Sequence, residues 1–238
     1  MVKRQLLLLS SSRVHGYGFL DYASNDICNI LTDNNVSSVL FIPYAKRNHD
    51  EYLRLAEKPF KKWGFNITSI HTQNPHKAIQ EAEAIFVGGG NTFRLLKTLY
   101  DLDLVKTINR RVLEEGVPYI GTSAGSNVAT RSIHTTNDMP IVWPPTLSAL
   151  NLVPFNINPH FVDSPKDSTH MGETREDRIL EYHEEPDSST VLGLREGATL
   201  YVKDNQAIIK GICGARLYIR NEKPKDIKVG SDVSYLLQ

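Results

Sequence analysis

The stretch from Val117 to Ala129, Val-Pro-Tyr-Ile-Gly-Thr-Ser-Ala-Gly-Ser-Asn-Val-Ala, constrains the fold more than any other part of this chain. It opens as a short apolar run, which suits a strand buried in a sheet. It then passes through Gly121-x-Ser123-x-Gly125 into small residues that suit a closely packed helix. G-x-S-x-G between a strand and a helix is the pattern of a nucleophile elbow. That turn is tight, so a Cβ on either side of the serine would meet the neighbouring strand or helix. The helix start behind Ser123 also offers free backbone N–H groups and a positive dipole end beside the serine oxygen. The pentapeptide alone is common and an inert turn could carry it; its setting between strand and helix favours a nucleophile.

The rest of the first half repeats the strand-then-helix rhythm. Strands are expected at Gln5–Leu9, Ser38–Pro43, Asn66–His71 and Ala84–Val87, with the elbow strand as the fifth. Helices are expected at Tyr22–Leu31, Asp50–Trp63, Pro75–Ala82, Thr92–Leu99 and Leu102–Glu115, with Pro59 bending or ending the second. Such alternation predicts a mainly parallel sheet with helices on both faces. After about residue 131 prolines interrupt the chain. A strand within Leu152–Phe161 and a helix at Thr174–Glu184 are followed by strands at Thr190–Leu194, Ala198–Lys203, Gln206–Ile212 and Ala215–Arg220. Asp204-Asn205 reads as a tight hairpin turn. The second half is therefore expected to add antiparallel strands to one edge of the sheet. No linker divides the sequence, so residues 1–238 are expected to form one α/β domain.

Composition removes several classes of function. Lys plus Arg and Asp plus Glu each number 27, so the net charge is zero with histidine neutral. That gives no electrostatic case for nucleic acid or an anionic membrane as a partner. Cys28 and Cys213 are far apart and lack CxxC spacing, which suits reduced thiols in a cytoplasmic protein. Leu6–Leu9 is too short for a signal peptide core and is followed at once by polar Ser10–Arg13. No stretch is long enough to span a membrane.

In a parallel sheet, reacting groups gather beyond the carboxyl ends of the strands. Three loops should meet there: the elbow at Ser123, Gly88-Gly89-Gly90-Asn91-Thr92, and the loop after the first strand with His15, Gly16, Tyr17 and Gly18. The triple glycine has neither P-loop nor G-x-G-x-x-G spacing. Beside an elbow it reads best as an oxyanion hole, its N–H groups complementing that of Ala124. A serine nucleophile needs a base. Of eight histidines, His160 is the best placed, in Asn158-Pro159-His160-Phe161 after an expected strand, where Pro159 stiffens the chain; His134 stays open as an alternative. Two carboxylates could orient that histidine: Asp138, and Glu196 just beyond Thr190–Leu194.

Taken together, Gly88–Thr92, Gly121–Gly125, Asp138-Met139-Pro140, Asn158–Phe161 and Gly172-Glu173-Thr174-Arg175 resemble peptidase E, the α-aspartyl dipeptidase family of serine peptidases. The resemblance runs from the first strand to about Gly197. It implies a flavodoxin-like, class I glutamine amidotransferase-like three-layer α/β sandwich. It also implies hydrolysis of dipeptides with an N-terminal aspartate, without metal or organic cofactor. By position it makes Ser123 the nucleophile, His160 the base, and Gly89 and Gly90 oxyanion donors, while Asp138 and Glu196 both remain open as the acid. Arg175, at the first turn of an expected helix, is the cation expected to hold the substrate carboxylate. The preceding loop, Asp163–Met171, is expected to be mobile without ligand and to close over the substrate. Beyond Gly197 the match is loose and leaves a homodimer open.

The implied chemistry is acyl transfer from a small dipeptide through an aspartyl-serine intermediate. Two other readings stand beside it: a related serine hydrolase acting on another acidic substrate such as a cyanophycin-like polymer, and a non-catalytic nucleotide or phosphate binder in which Ser123 is an ordinary turn residue. A glutamine amidotransferase is excluded chemically, since that class needs a thiolate where this chain has Ser123.

Overall fold

A computed structural model describes residues 2–164 and 171–238. Five parallel strands form its centre: β1 (Gln5–Leu9), β2 (Ser38–Ile42), β3 (Asn66–Ser69), β4 (Ala84–Val87) and β5 (Tyr119–Thr122). Two antiparallel strands, β8 (Ala198–Lys203) and β9 (Gln206–Gly211), extend the β1 edge, giving seven strands in the order β3-β2-β4-β5-β1-β8-β9. With β1 set aside, β2 to β5 follow the 2-1-3-4 part of a flavodoxin-like order. The chain's first strand fills the position that the fifth holds in that order.

Each central strand feeds both faces of the sheet. Leu6 and Leu8 enter one hydrophobic cluster and Leu7 and Leu9 the other, all four fully buried. This follows from the two-residue period of a strand. It also explains why these strands read as unbroken apolar runs. Helices α1 (Ser24–Asp33) and α2 (His49–Lys62) cover one face with Ile27, Ile30, Tyr52 and Phe60. The other face is covered by α3 (Pro75–Glu81), α4 (Thr92–Asp101), α5 (Val105–Leu113) and α6 (Ala124–Val128). α2 runs through Pro59 to Lys62, so that proline neither stops it nor removes its last turn. Asp204 takes a positive φ of 52° at the hairpin joining β8 to β9.

One expectation needs correction. Only β8 and β9 join the edge of the large sheet. The strands β6 (Asn156–Phe161), β7 (Val191–Arg195), β10 (Ala215–Tyr218) and β11 (Lys225–Ile227) form a separate four-stranded sheet in the order β11-β10-β7-β6. Its inward residues Ile157, Leu192, Leu194 and Leu217 pack into the same cluster as α4 to α6. The chain crosses from the small sheet to the large one at Glu196-Gly197, between β7 and β8. α7 (Arg175–Tyr182) lies outside, its Ile179 buried with Phe161, Val191 and Tyr218.

Candidate active site

The register of the large sheet puts three chain ends level. Leu9 pairs with Thr122 and Val87 with Gly121, so Ser10, Gly88 and Ser123 emerge side by side. Ser123 adopts φ 52° and ψ −108°, a strained backbone for a side chain that must leave the strand sharply. Its own N–H is spent on the carbonyl of Leu9 at 3.0 Å. The small residues around it are demanded by contact. A Cβ on Gly121 would lie 2.6 Å from the Gly125 carbonyl oxygen, and one on Gly125 would lie 2.1 Å from that of Val87. The Ser126 hydroxyl donates to the carbonyls of Leu9 (2.7 Å) and Gly121 (2.9 Å), and buried Tyr119 donates to that of Gly125 (2.7 Å). The elbow is thus locked from beneath.

The triple glycine lies against the elbow. A Cβ on Gly89 would come within 3.0 Å of the Ser123 Cβ, and Gly90 holds φ 141°. The Gly88 N–H donates to the carbonyl of Ile42 in β2 at 3.1 Å, which fixes the start of the loop. Among the described residues, no backbone carbonyl outside the helix accepts from the N–H of Gly89, Gly90 or Ala124, and the Gly89 N–H has the Tyr52 hydroxyl oxygen as its partner. The phenol of Tyr52 packs beneath this loop. Its oxygen is 2.6 Å from where a Gly88 Cβ would be, and burial pushes its pKa up to about 12. A neutral, immobile hydroxyl therefore supports the amides.

The small sheet supplies the groups that face the serine. His160 Nε2 is 2.9 Å from the Ser123 Oγ, and His160 Nδ1 is 2.9 Å from Glu196 Oε1. His160 does not follow its strand, as the sequence suggested, but sits within β6. The pairing of β6 with β7 slips between Asn158 and Phe161, and His160 takes φ 52° in that bulge. Bulges re-aim side chains in this way. Buried polar contacts fix the bulge. The His160 N–H donates to Ser10 Oγ at 2.8 Å, and Ser10 Oγ donates to the Leu194 carbonyl of β7 at 2.8 Å. Asn137 Nδ2 donates to the Pro159 carbonyl at 2.6 Å, and Asn158 Nδ2 donates to Asn137 Oδ1 at 2.8 Å. Asn127, on α6 just behind the elbow, donates to the Ile157 carbonyl at 2.8 Å. On the outer side Arg195 grips Asp163 with two bonds, at 2.6 and 2.8 Å, and Asp226 with a third at 2.6 Å. The paired guanidinium holds the Asp163 carboxyl below the usual aspartate value.

Of the two candidate acids, the one on the histidine is Glu196. Asp138 is engaged elsewhere. Its Oδ2 accepts from the Thr92 N–H (2.8 Å) and hydroxyl (2.6 Å), with the Thr136 hydroxyl at 3.3 Å. A carboxylate on the first amide of α4 gains both an orphan donor and the positive end of the helix dipole. Asp138 thus ties residues 136–139 to the glycine loop, helped by Asn91 Nδ2 donating to the Met139 carbonyl at 2.9 Å. The other histidine left open, His134, stacks on Tyr182 with its Nδ1 at 2.7 Å from the Ser132 hydroxyl.

Arg175 is the first residue of α7. The ordinary partners of such an arginine are taken: Glu173 pairs with Arg178 at 3.5 Å, and Asp177 closes a capping box on Thr174. Burial and the neighbouring Arg178 lower the Arg175 pKa, while the charge of Asp138 opposes them. Arg175 is partly buried and has no carboxylate within ion-pair distance among the described residues. Most of the loop expected to close over the substrate, residues 165–170 within Asp163–Met171, lies outside the described residues. Ser10, Asn127 and Asn137 escaped the sequence reading altogether. Among the described residues no cluster of His, Cys, Asp or Glu could hold a metal, and no helix is long and apolar enough to cross a membrane.

Comparison with known proteins adds ancestry. The model of peptidase family S51 matches residues 6–210. A protein of Drosophila melanogaster named a probable alpha-aspartyl dipeptidase is 48% identical over 99% of this chain and 98% of its own. Peptidase E of Streptomyces coelicolor is 45% identical over 98% of this chain and 94% of its own. Among solved structures, a peptidase from an acI-B1 Actinobacterium superposes with a TM-score of 0.72 over 98% of this chain and 97% of that one. At 16% identity that likeness is one of fold alone.

Proposed function

This chain belongs to peptidase family S51, and from that premise we propose that it is a serine dipeptidase that hydrolyses Asp-X dipeptides. The observation that carries the reading is one hydrogen-bonded line: Ser123 Oγ to His160 Nε2, and His160 Nδ1 to Glu196, each at 2.9 Å. In this reading His160 takes the Ser123 proton as Oγ attacks the peptide carbonyl. The carbonyl oxygen becomes an oxyanion held by N–H groups of Gly89, Gly90 and Ala124. Glu196 orients the imidazole and stabilises it while charged. His160 then protonates the amine of X, which leaves. Water, deprotonated by the same histidine, releases aspartate and restores Ser123.

Selectivity for aspartate falls to Arg175. Asparagine is nearly isosteric with aspartate, so the two are separated by charge, and a half-buried arginine with no carboxylate partner among the described residues supplies the cation. Arg175→Met is expected to raise KM for Asp-X and erase the preference over Asn-X, at a cost of about 2–5 kcal/mol. Full discrimination in that variant would remove Arg175 from the role. The reading as a whole is tested by a panel of Asp-X, Glu-X and Asn-X dipeptides and longer aspartyl peptides. Asp-X turnover alone is expected; release of products only from an acidic polymer would favour the second hydrolase reading. Labelling of Ser123 by a fluorophosphonate separates both from a non-catalytic binder. Cys28 and Cys213 are unpaired, and we place the protein in a reducing compartment such as the cytoplasm. Because both sheets share one core cluster, we also treat the chain as a single domain, with a homodimer as the state to examine by sedimentation.

A further inference from the structure

A chain with no net charge holds one strongly cationic region, and it adjoins the glycine loop. A cleft of about 670 Å³ is lined by Arg13, Lys46, Arg47, Arg54, Lys58 and Arg94, together with Gly90 and Asn91. The acid in its lining is Glu51, whose carboxylate accepts from the Asn48 side chain at 3.0 Å. Among the described residues, none of the six cations lies within ion-pair distance of a carboxylate, whereas Lys61 on the far side of α2 pairs with Glu57. Arg54 and Lys58 are one helical turn apart on α2, and Lys62 continues the row in an adjoining hollow that shares Arg13 and Lys58. Lys46 rests over the Tyr52 ring, 4.4 Å from its centre.

Six like charges around one cavity repel one another and cost stability unless an anion completes the set. The cleft is also larger than one carboxylate needs, within the roughly 300–1,000 Å³ of sites that enclose small molecules. Gly90 and Asn91 of the glycine loop line it, and Gly90 follows the glycine packed against Ser123, so the cleft borders the loop beside the nucleophile. The two ends of an Asp-X substrate differ in charge. The aspartyl end bears the free α-ammonium beside its side-chain carboxylate, which falls to Arg175, and so carries no net charge. The end that departs bears the α-carboxylate and, where X is acidic, a second carboxylate.

We propose that this cleft binds the departing side of the substrate through its carboxylates, and that the enzyme favours acidic residues after the N-terminal aspartate. The inference rests on the dipeptidase reading and adds the substrate class at the second position. The cations act by charge, so the preference weakens with salt. It is separate from the Arg175 site, which serves the aspartate itself.

The test is kcat/KM for Asp-Glu, Asp-Ala and Asp-Lys in the wild-type protein and in the double variant Arg54→Glu/Lys58→Glu. The wild type is expected to prefer Asp-Glu over Asp-Lys by roughly three- to ten-fold at low salt, the scale of a few exposed ion pairs. The gap should narrow in about 0.5 M salt. The charge-reversed variant should prefer Asp-Lys. That inversion is a gain within a single protein sample, so partial unfolding cannot imitate it. Hydrolysis of all three at rates independent of the charge of X overturns the proposal alone, as does a wild-type preference that survives both the variant and salt. Failure to hydrolyse any Asp-X dipeptide overturns the dipeptidase reading and this inference together.

Discussion

The two sheets contribute to the site in different ways. The large sheet delivers Ser123 and the glycine amides from turns that directly follow β4 and β5. Each of these groups lies in a short motif whose small residues are within a few positions of it, although Leu9 of β1 and Ile42 of β2 also take backbone N–H groups of these motifs. The small sheet delivers His160 from a bulge and Glu196 from a crossing between sheets, and neither is placed locally. Their positions depend on Ser10, Asn127 and Asn137, which come from other elements, and on the ties that Arg195 at the end of β7 makes to Asp163, Ala215 and Asp226. The lesson is that a nucleophile can be carried by a motif, while its base and acid are carried by an assembly.

That division is broken most directly at Ser123. Ser123→Ala keeps a small residue on the elbow and removes the attacking oxygen. Turnover is expected to fall by roughly 10³–10⁶-fold with the melting temperature nearly unchanged. Hydrolysis at the wild-type rate by purified variant would eliminate Ser123 as nucleophile.

The next largest effect separates the two carboxylates. Glu196→Gln keeps the shape but removes the charge that stabilises the imidazolium, and kcat is expected to drop on the order of 10²–10⁴-fold. Asp138→Asn takes a charge from the start of α4 instead. Its expected signature is a loss of about 1 kcal/mol of stability, with a smaller fall in kcat. Equal effects of the two substitutions on kcat would contradict the geometry.

These contrasts also explain what could be read from the chain. The elbow and the triple glycine were legible because their chemistry requires particular residues at fixed local spacing. His160 was legible from Asn158-Pro159-His160-Phe161, yet its setting was not, since nothing in that tetrapeptide signals a bulge inside a strand. The choice between Asp138 and Glu196 was illegible for a physical reason. Both are acids in loops, and only the step from β7 to β8 across two sheets brings Glu196 to the imidazole. Strand propensity marked Thr190–Leu194 and Ala215–Arg220 correctly as strands but carries no information on which sheet they join. Ser10 looked like the start of a polar loop, and its hydroxyl gains its role only when β6 and β7 pack over the end of β1.

Ser10 therefore sharpens the comparison, being a large-sheet residue that holds small-sheet parts. It is a positioning residue, with its hydroxyl between the His160 amide and the Leu194 carbonyl. Ser10→Ala is expected to lower kcat by about ten-fold, because small misplacements of a base are costly, while KM changes little. Ser10→Thr should recover part of the rate by restoring a hydroxyl. A purely structural serine would lower the melting temperature without this split between kcat and KM.

The smallest effect concerns the outer clamp of the small sheet. Arg195 precedes Glu196 and ties the end of β6 to β11 through Asp163 and Asp226. The Asp163 carboxyl is held below its ordinary value of 3.8, chiefly by its hydrogen bonds to Arg195. A carboxyl whose folded pKa is depressed adds stability that is fully present above the unfolded value. That stability is lost as pH falls through the lower, folded value. Asp163 is about half exposed, with 48% of its side chain accessible, so solvent screens the pair. Its worth is at most about 1 kcal/mol. Asp163→Asn should accordingly lower the melting temperature at pH 7 by roughly 2–4 °C for a chain of this size. The gap between variant and wild type should begin to narrow as the pH falls below the ordinary aspartate value and close only below the depressed folded value, where the folded wild-type carboxyl also becomes neutral. kcat at pH 7 should change less than for Ser10→Ala, since Arg195 keeps Asp226 and the Ala215 carbonyl. A melting difference that persists unchanged into strong acid would mean that Asp163 acts through packing or backbone bonds, and the clamp would not be an electrostatic device.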